Sequence, residues 1–152
     1  MTTPLVTWKS SYALGMSEID EQHRMLFEIM NKMWQAIVHN EKQSTMVEIL
    51  QALELYTVQH FTEEEVFMQS FNYPNFDKHI LLHRHFIQKI ADEKERVSKG
   101  EKPSLDLLHF LRDWLLNHIL VQDKHYADYF EQQKSSKKSL LGRFFKQFTH
   151  SA

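Results

Sequence analysis

The sequence predicts an all-α protein: an up-down-up-down antiparallel four-helix bundle with an N-terminal arm and a short C-terminal amphipathic helix. Three observations carry that expectation. Four stretches repeat apolar residues at i, i+3/i+4 spacing, the signature of a helix with one buried side. The connections between them are short and marked by Asn, Gly and Pro, as antiparallel neighbours in a bundle require. Only three glycines and three prolines occur in 152 residues, while Leu, Met, Gln, Glu and Lys, all good helix formers, are plentiful. A chain of this length buries the core of one domain.

Residues 1–16 read as an irregular arm, since Pro4, Gly15 and the β-branched Thr2, Thr3, Val6 and Thr7 give no helical period. Trp8, Tyr12 and Leu14 are large enough to pack the arm along the domain. Ser17 opens the first helix with Asp20 as capping-box partner. Its stripe of Ile19, His23, Leu26, Phe27, Met30, Met33, Trp34 and Ile37 ends near Asn40. Thr45 and Glu48 cap the second helix, with Ile49, Leu53, Tyr56, His60, Glu64, Phe67 or Met68, and Phe71 on its stripe. Asn72, Tyr73 and Pro74 break it, and Pro74, favoured in a first turn, starts the third. There the stripe is Phe76, His79, Leu82, His83, Phe86, Ile90 and Val97. After Ser98, Gly100 and Pro103, Ser104 caps a fourth helix lined by Leu107, Leu108, Leu111, Trp114, Leu115, His118 and Ile119. Residues 1–133 make up this bundle.

Composition excludes several functions. The absence of Cys rules out disulfides and thiolate metal sites. A net charge of −2 argues against nucleic acid. No apolar run approaches the roughly 20 residues of a membrane span. The N-terminus lacks a basic region followed by an apolar one, so a cytoplasmic protein is expected.

Polar residues on the apolar stripes are the anomaly. His60 and Glu64 are four apart, as are His79 and His83, so each pair shares a helix face roughly 5–6 Å apart at Cβ. The break at Asn72–Pro74 folds the two pairs towards one interior. His23 and His118 fall mid-stripe on the other two helices, and Asp123 follows His118. A lone stripe histidine is ordinarily a hydrogen-bonded core residue. Five imidazoles and two carboxylates converging from four helices are different, because a core offers few partners for them. A buried unpaired carboxylate such as Glu64 is costly unless bound to a cation. Glu63 and Glu65 read as its solvent-facing neighbours.

Seven donors are too many for one tetrahedral zinc. Imidazole with carboxylate suits iron, and two octahedral irons have about twelve positions. Five histidines, two bridging carboxylates and one bridging hydroxide fill all but one. The spacing of His118 and Asp123 does not suit a regular helix, on which positions five apart diverge by about 140°. Either Asp123 reaches around to the site or a π-bulge occurs there.

These motifs resemble those of the bacterial hemerythrins, non-haem di-iron oxygen-binding proteins. The resemblance spans Trp8 to Tyr126. It rests on W-x3-Y-x-L-G at 8–15, I-D-x-Q-H at 19–23, H-F-x2-E-E at 60–65, Y-P at 73–74, H-x3-H at 79–83 and W-L-x2-H-I-x3-D-x2-Y at 114–126. It implies that His79, His83 and His118 bind a saturated iron, while His23 and His60 bind the iron that keeps an open position. Glu64 and Asp123 would bridge the two, beside an oxo or hydroxo group. Leu26, Phe61, Trp114, Leu115 and Ile119 match the apolar lining of the oxygen pocket, which keeps water out. Tyr126 would supply a hydrogen bond from outside the ligand set. His39, His85, His109, His125 and His150 match no ligand position.

The resemblance implies reversible dioxygen binding, for storage, delivery or local supply; a monomer is expected. Two rivals remain open: a di-iron enzyme that reduces peroxide or nitric oxide or donates iron, and a sensor acting through a partner. Residues 134–152 lie beyond the match. A basic linker, Lys134 to Lys138, leads to Leu140, Leu141, Phe144, Phe145 and Phe148 at helical spacing, interspersed with Arg143 and Lys146. This basic amphipathic pattern suits an anionic membrane surface or an acidic partner.

Overall fold

The arm, the four helices and their connections are described for residues 3–134 in a computed structural model. α1 (Ser17–Val38), α2 (Gln43–Ser70), α3 (Phe76–Ser98) and α4 (Leu105–Asn117) follow one another through short connections. α4 passes through a π-helical segment, His118–Asp123, into a last helical stretch at 124–134. The all-α bundle is therefore the one the periodicity predicts. The amphipathic pattern at 140–148 lies outside the described residues.

Three helices end on a residue in the left-handed region, where the chain folds back to satisfy terminal carbonyls. Asn40 (φ 50°), Asn72 (φ 55°) and Gly100 (φ 99°) hold these positions. Beyond them Glu41 N–H donates to Ala36 O at 2.9 Å, Tyr73 to Met68 at 3.1 Å and Glu101 to Arg96 at 3.2 Å. Asparagine tolerates this conformation better than other side chains, which explains its use at two tight reversals.

The helix starts differ in detail from the sequence expectation. Asp20 does not cap Ser17; its Oδ1 accepts from Leu14 N–H at 2.7 Å and ties the arm to α1. α2 begins at Gln43 rather than Thr45. The Gln43 side chain is used elsewhere, donating to Val97 O at 2.7 Å and Ser98 O at 3.1 Å at the end of α3. Pro74 precedes α3 by two residues, in a turn closed by Phe76 N–H to Tyr73 O at 3.2 Å. Its fixed φ suits the second position of such a turn. Ser104 does cap α4, accepting from Leu107 N–H at 3.1 Å.

The arm packs along α1 as its large residues suggest. Asn31 clamps Val6, accepting its N–H at 3.0 Å and donating to its carbonyl at 2.8 Å. Trp8, Tyr12 and Phe27 meet edge to face with centroids 5.5–6.0 Å apart, a favoured aromatic geometry.

The buried line of α2 runs Met46, Leu50, Leu53, Thr57, His60, Phe61, Glu64 and Met68. Ile49 and Tyr56 flank it instead of forming it. Glu93, unremarked in the sequence, is buried on α3. It accepts from Arg96 at 2.6 Å and from Ser104 N–H at 2.7 Å, bracing the connection into α4.

Buried apolar side chains form two clusters. The larger includes Leu26, Leu53, Phe61, Phe86, Leu111, Leu115 and Ile119. The smaller gathers Met68, Tyr73, Tyr126 and Ala127. Along α1 and α3 the predicted donors fall between residues of the two clusters, as do Glu64 and Asp123, while His60 and His118 adjoin Phe61 and Ile119 of the larger one. The fold thus holds a polar layer sealed at both ends by apolar packing.

Candidate metal centre

His23 comes from α1, His60 and Glu64 from α2, His79 and His83 from α3, and His118 and Asp123 from the two ends of the π-helical segment. None of the seven is more than 2% exposed. They form two groups, His23–His60–Glu64 and His79–His83–His118–Asp123, with the donor atoms in each within 4.8 Å of one another.

Asp123 joins the groups. Its Oδ1 lies 3.0 Å from His79 Nε2 and 3.2 Å from His118 Nε2, while its Oδ2 lies 3.1 Å from His23 Nε2. Glu64 Oε1 lies 2.5 Å from His60 Nε2 and 3.9 Å from His23 Nε2. The π-helical segment makes the Asp123 contacts feasible. Its wider i→i+5 turn brings residues five apart onto one face, so the bulge, one of the two sequence alternatives, resolves the spacing.

Close as they are, most of these atoms make no hydrogen bond. Both His23 nitrogens, His60 Nε2, both Glu64 oxygens, His79 Nε2, His83 Nδ1 and both Asp123 oxygens are buried without a partner. His83 Nε2 and His118 Nε2 face each other at 3.0 Å. Each unsatisfied buried polar atom costs about 1–3 kcal/mol. A shared cation accepts such lone pairs at once, and a donor set of five imidazoles and two carboxylates suits iron without sulfur ligands. The residues therefore fit a buried metal pair.

Electrostatics point the same way. Burial, the largest influence on His23, disfavours its charge, yet Asp123 and Glu64 together outweigh it and raise its pKa to about 9. Burial likewise pushes the Glu64 and Asp123 carboxyls up, but facing imidazoles overcome it and leave both below the usual carboxylate range. His60 and His23 act on Glu64; His118, His23 and His79 act on Asp123. Burial lowers His83, partly offset by Glu65. Tyr126 is held well above its ordinary value by burial and by the charges of Glu64 and Asp123. Its hydroxyl is buried without a hydrogen-bond partner.

Outer contacts orient the ligand histidines. His60 Nδ1 lies 2.6 Å from Gln22 Oε1. An amide oxygen accepts, so Nδ1 carries the proton and Nε2 keeps its lone pair for the site. Gln22 Nε2 donates in turn to Glu63. Glu65 Oε2 lies 3.6 Å from His83 Nδ1. Glu63 and Glu65 thus face outward yet stand directly behind the site. The sequence flags neither Gln22 nor these pairings, because they depend on the register of α1 and α3 against α2.

Phe61 stacks on His83 with centroids 3.7 Å apart and planes at 2°. Trp114 stacks on His118 at 4.6 Å and 9°. Leu26, Phe61, Leu115 and Ile119 are no more than 1% exposed, whereas Trp114 is only partly buried. Away from the site, His39 bonds Gln35 O at 2.8 Å and His109 packs against Trp34 at 5.5 Å. His85 and His125 are exposed, and His150 lies outside the described residues.

Comparison with known proteins agrees with this geometry. Residues 14–130 match the hemerythrin HHE cation-binding domain. A bacteriohemerythrin of Clostridium acetobutylicum is 33% identical over 129 residues, covering 82% of this chain and all of that protein. A hemerythrin polypeptide of Sipunculus nudus is 32% identical over 121 residues, 80% of this chain and 90% of its own. A wild-type hemerythrin crystal structure superposes with a TM-score of 0.76 at 32% identity, covering 82% of this chain and 96% of that one.

Proposed function

The chain belongs to the hemerythrin family, and from that premise we propose that it binds dioxygen reversibly at a non-haem di-iron centre, for storage, delivery or local supply. The observation that carries this reading is a pair of buried donor groups joined by Asp123, which turns one oxygen to each. His79, His83 and His118 would hold one iron and His23 and His60 the other, with the carboxylates of Glu64 and Asp123 available to both.

When bound, the iron pair supplies two electrons that dioxygen takes on binding and returns on leaving. The protein's own residues make that exchange reversible. Asp123 and Glu64, kept anionic by the imidazoles around them, offset the positive charge of the metals. Gln22 fixes the His60 tautomer. Leu26, Phe61, Leu115 and Ile119, with Trp114 at the edge, exclude water and the protons it carries. This apolar lining brings no general acid to the bound gas, which supports carriage over peroxide or nitric oxide reduction.

The test is the visible spectrum of the reduced protein cycled between oxygen and vacuum, with metal analysis alongside. About two irons per chain and a spectrum that returns over several cycles are expected. A single tightly held zinc without iron would overturn the reading, as would steady turnover of peroxide or nitric oxide.

A further inference from the structure

Three of the five tyrosines meet in the smaller apolar cluster. Tyr73 and Tyr126 are buried in it, and Tyr129 packs against it partly exposed. Packing alone needs only phenyl rings, such as those of Phe67 and Phe71 beside them. The Tyr126 hydroxyl is buried without a hydrogen-bond partner, an arrangement that costs stability and that phenylalanine would avoid. A phenol differs from a phenyl ring in one useful respect. It can give up an electron and a proton together and become a phenoxyl radical.

The three rings form a line from the donor layer to the surface. The Tyr126 centroid lies 5.6 Å from that of His79, Tyr73 lies 6.4 Å from Tyr126, and Tyr129 lies 5.6 Å from Tyr73. Tyr73 is itself 6.5 Å from His79. Every step lies within about 4.5–7 Å, the range of aromatic rings in contact. Tyr73 and Tyr129 line a surface cleft of about 230 Å³ together with His125 and Asp128. An imidazole and a carboxylate thus stand at the outer end of the line, where a phenol proton can be taken up and returned. Leu26, Phe61, Leu115 and Ile119 belong to the other apolar cluster, so the line runs away from the oxygen lining.

We propose that Tyr126, Tyr73 and Tyr129 form a redox relay that carries oxidising equivalents from the metal pair to the surface when hydrogen peroxide reacts there. The proposal rests on the di-iron reading. Hydrogen peroxide takes up two electrons and two protons as its O–O bond breaks, giving two waters. Two phenols supply them, one electron and one proton each, and become phenoxyl radicals. Electron transfer from the next ring outward moves each radical to Tyr129, where ascorbate returns one electron and one proton and restores the phenol. The dry lining keeps such events rare, so the relay protects an oxygen carrier without making it a peroxidase. Lacking this exit, the same equivalents fall on oxidisable core residues such as Met68, fully buried in the same cluster. Its sulfoxide is polar and disrupts apolar packing.

The test uses iron-loaded full-length protein, with iron content and the oxygen spectrum recorded on the same sample. Mixed with a stoichiometric amount of hydrogen peroxide and frozen at once, it should show a tyrosyl radical by electron paramagnetic resonance. A nitroso spin trap should label Tyr129, located by peptide mass spectrometry. Tyr73→Phe, which removes only the middle hydroxyl, should lose most of that label and raise Met68 sulfoxide several-fold, with iron content and the oxygen spectrum unchanged. Tyr129→Phe, at a partly exposed position, gives the same reading should the first variant not fold: the label is lost and Met68 sulfoxide rises. A label on Trp114, whose ring stacks on His118 at 4.6 Å, would overturn the proposal. So would an undiminished Tyr129 label in Tyr73→Phe, or an equal radical in metal-free protein. Absence of any radical in protein that holds its iron and cycles with oxygen would overturn the relay alone and leave the carrier reading standing. Protein that binds no iron fails both, by metal analysis before peroxide is added.

Discussion

Gln22 is half-buried and uncharged, yet the lone pair of His60 depends on it. Gln22→Leu leaves the Nδ1 proton of a buried imidazole without an acceptor, costing about 1–3 kcal/mol. Loss of such an outer contact typically weakens metal binding about 10–100-fold. Iron retention against a chelator should fall accordingly, while Gln22→Glu, which keeps an acceptor oxygen, should retain most of it. His23 gives a pH signature in the metal-free protein. Its folded pKa, about 9, exceeds the unfolded value of about 6.5, so its contribution is complete below the lower value. That contribution is lost as pH rises towards the higher, at up to about 1.4 kcal/mol per pH unit. Denaturant midpoints of metal-free protein between these two pH values should show this decline, and His23→Gln should remove it.

At the scale of elements, α4 and its π-helical continuation carry both the dry lining and two ligands. Leu115→Ala opens a cavity beside His118 and should cost about 2–5 kcal/mol in stability. Water entering that cavity should also speed oxidation to the ferric form. An autoxidation rate equal to that of the unmodified protein would show that Leu115 does not keep the site dry. Ser104→Ala tests the other end of the helix. Loss of the cap to Leu107 N–H should cost about 1 kcal/mol with the oxygen spectrum unchanged, since the cap lies several turns from the donors.

For the whole molecule, iron binding and folding stability are linked. The donor layer crosses all four helices and holds unpaired polar atoms between two apolar clusters. A metal that binds only the folded state stabilises it by about 4 kcal/mol at a thousandfold excess over Kd. Removing iron should therefore lower Tm by roughly 10 °C or more, read by calorimetry before and after chelation. Equal Tm values with and without iron would mean that the donors are satisfied without metal.

The sequence by itself determined the bundle and the pairing of donors along a helix, because a 3.6-residue period places His60 with Glu64 or His79 with His83 whatever the neighbouring helices do. The oxygen-pocket lining rested instead on the resemblance to the hemerythrins. The sequence could not choose between a reaching Asp123 and a π-bulge, because both satisfy the same spacing. Three further features came only from tertiary structure: the Gln22–His60 bond, the Glu65–His83 approach and the buried brace at Glu93. Each joins residues from different elements whose relative register is set by packing, which no single-helix pattern encodes. The division of the donors into two groups was likewise decided in three dimensions, where Asp123 turns one oxygen to each.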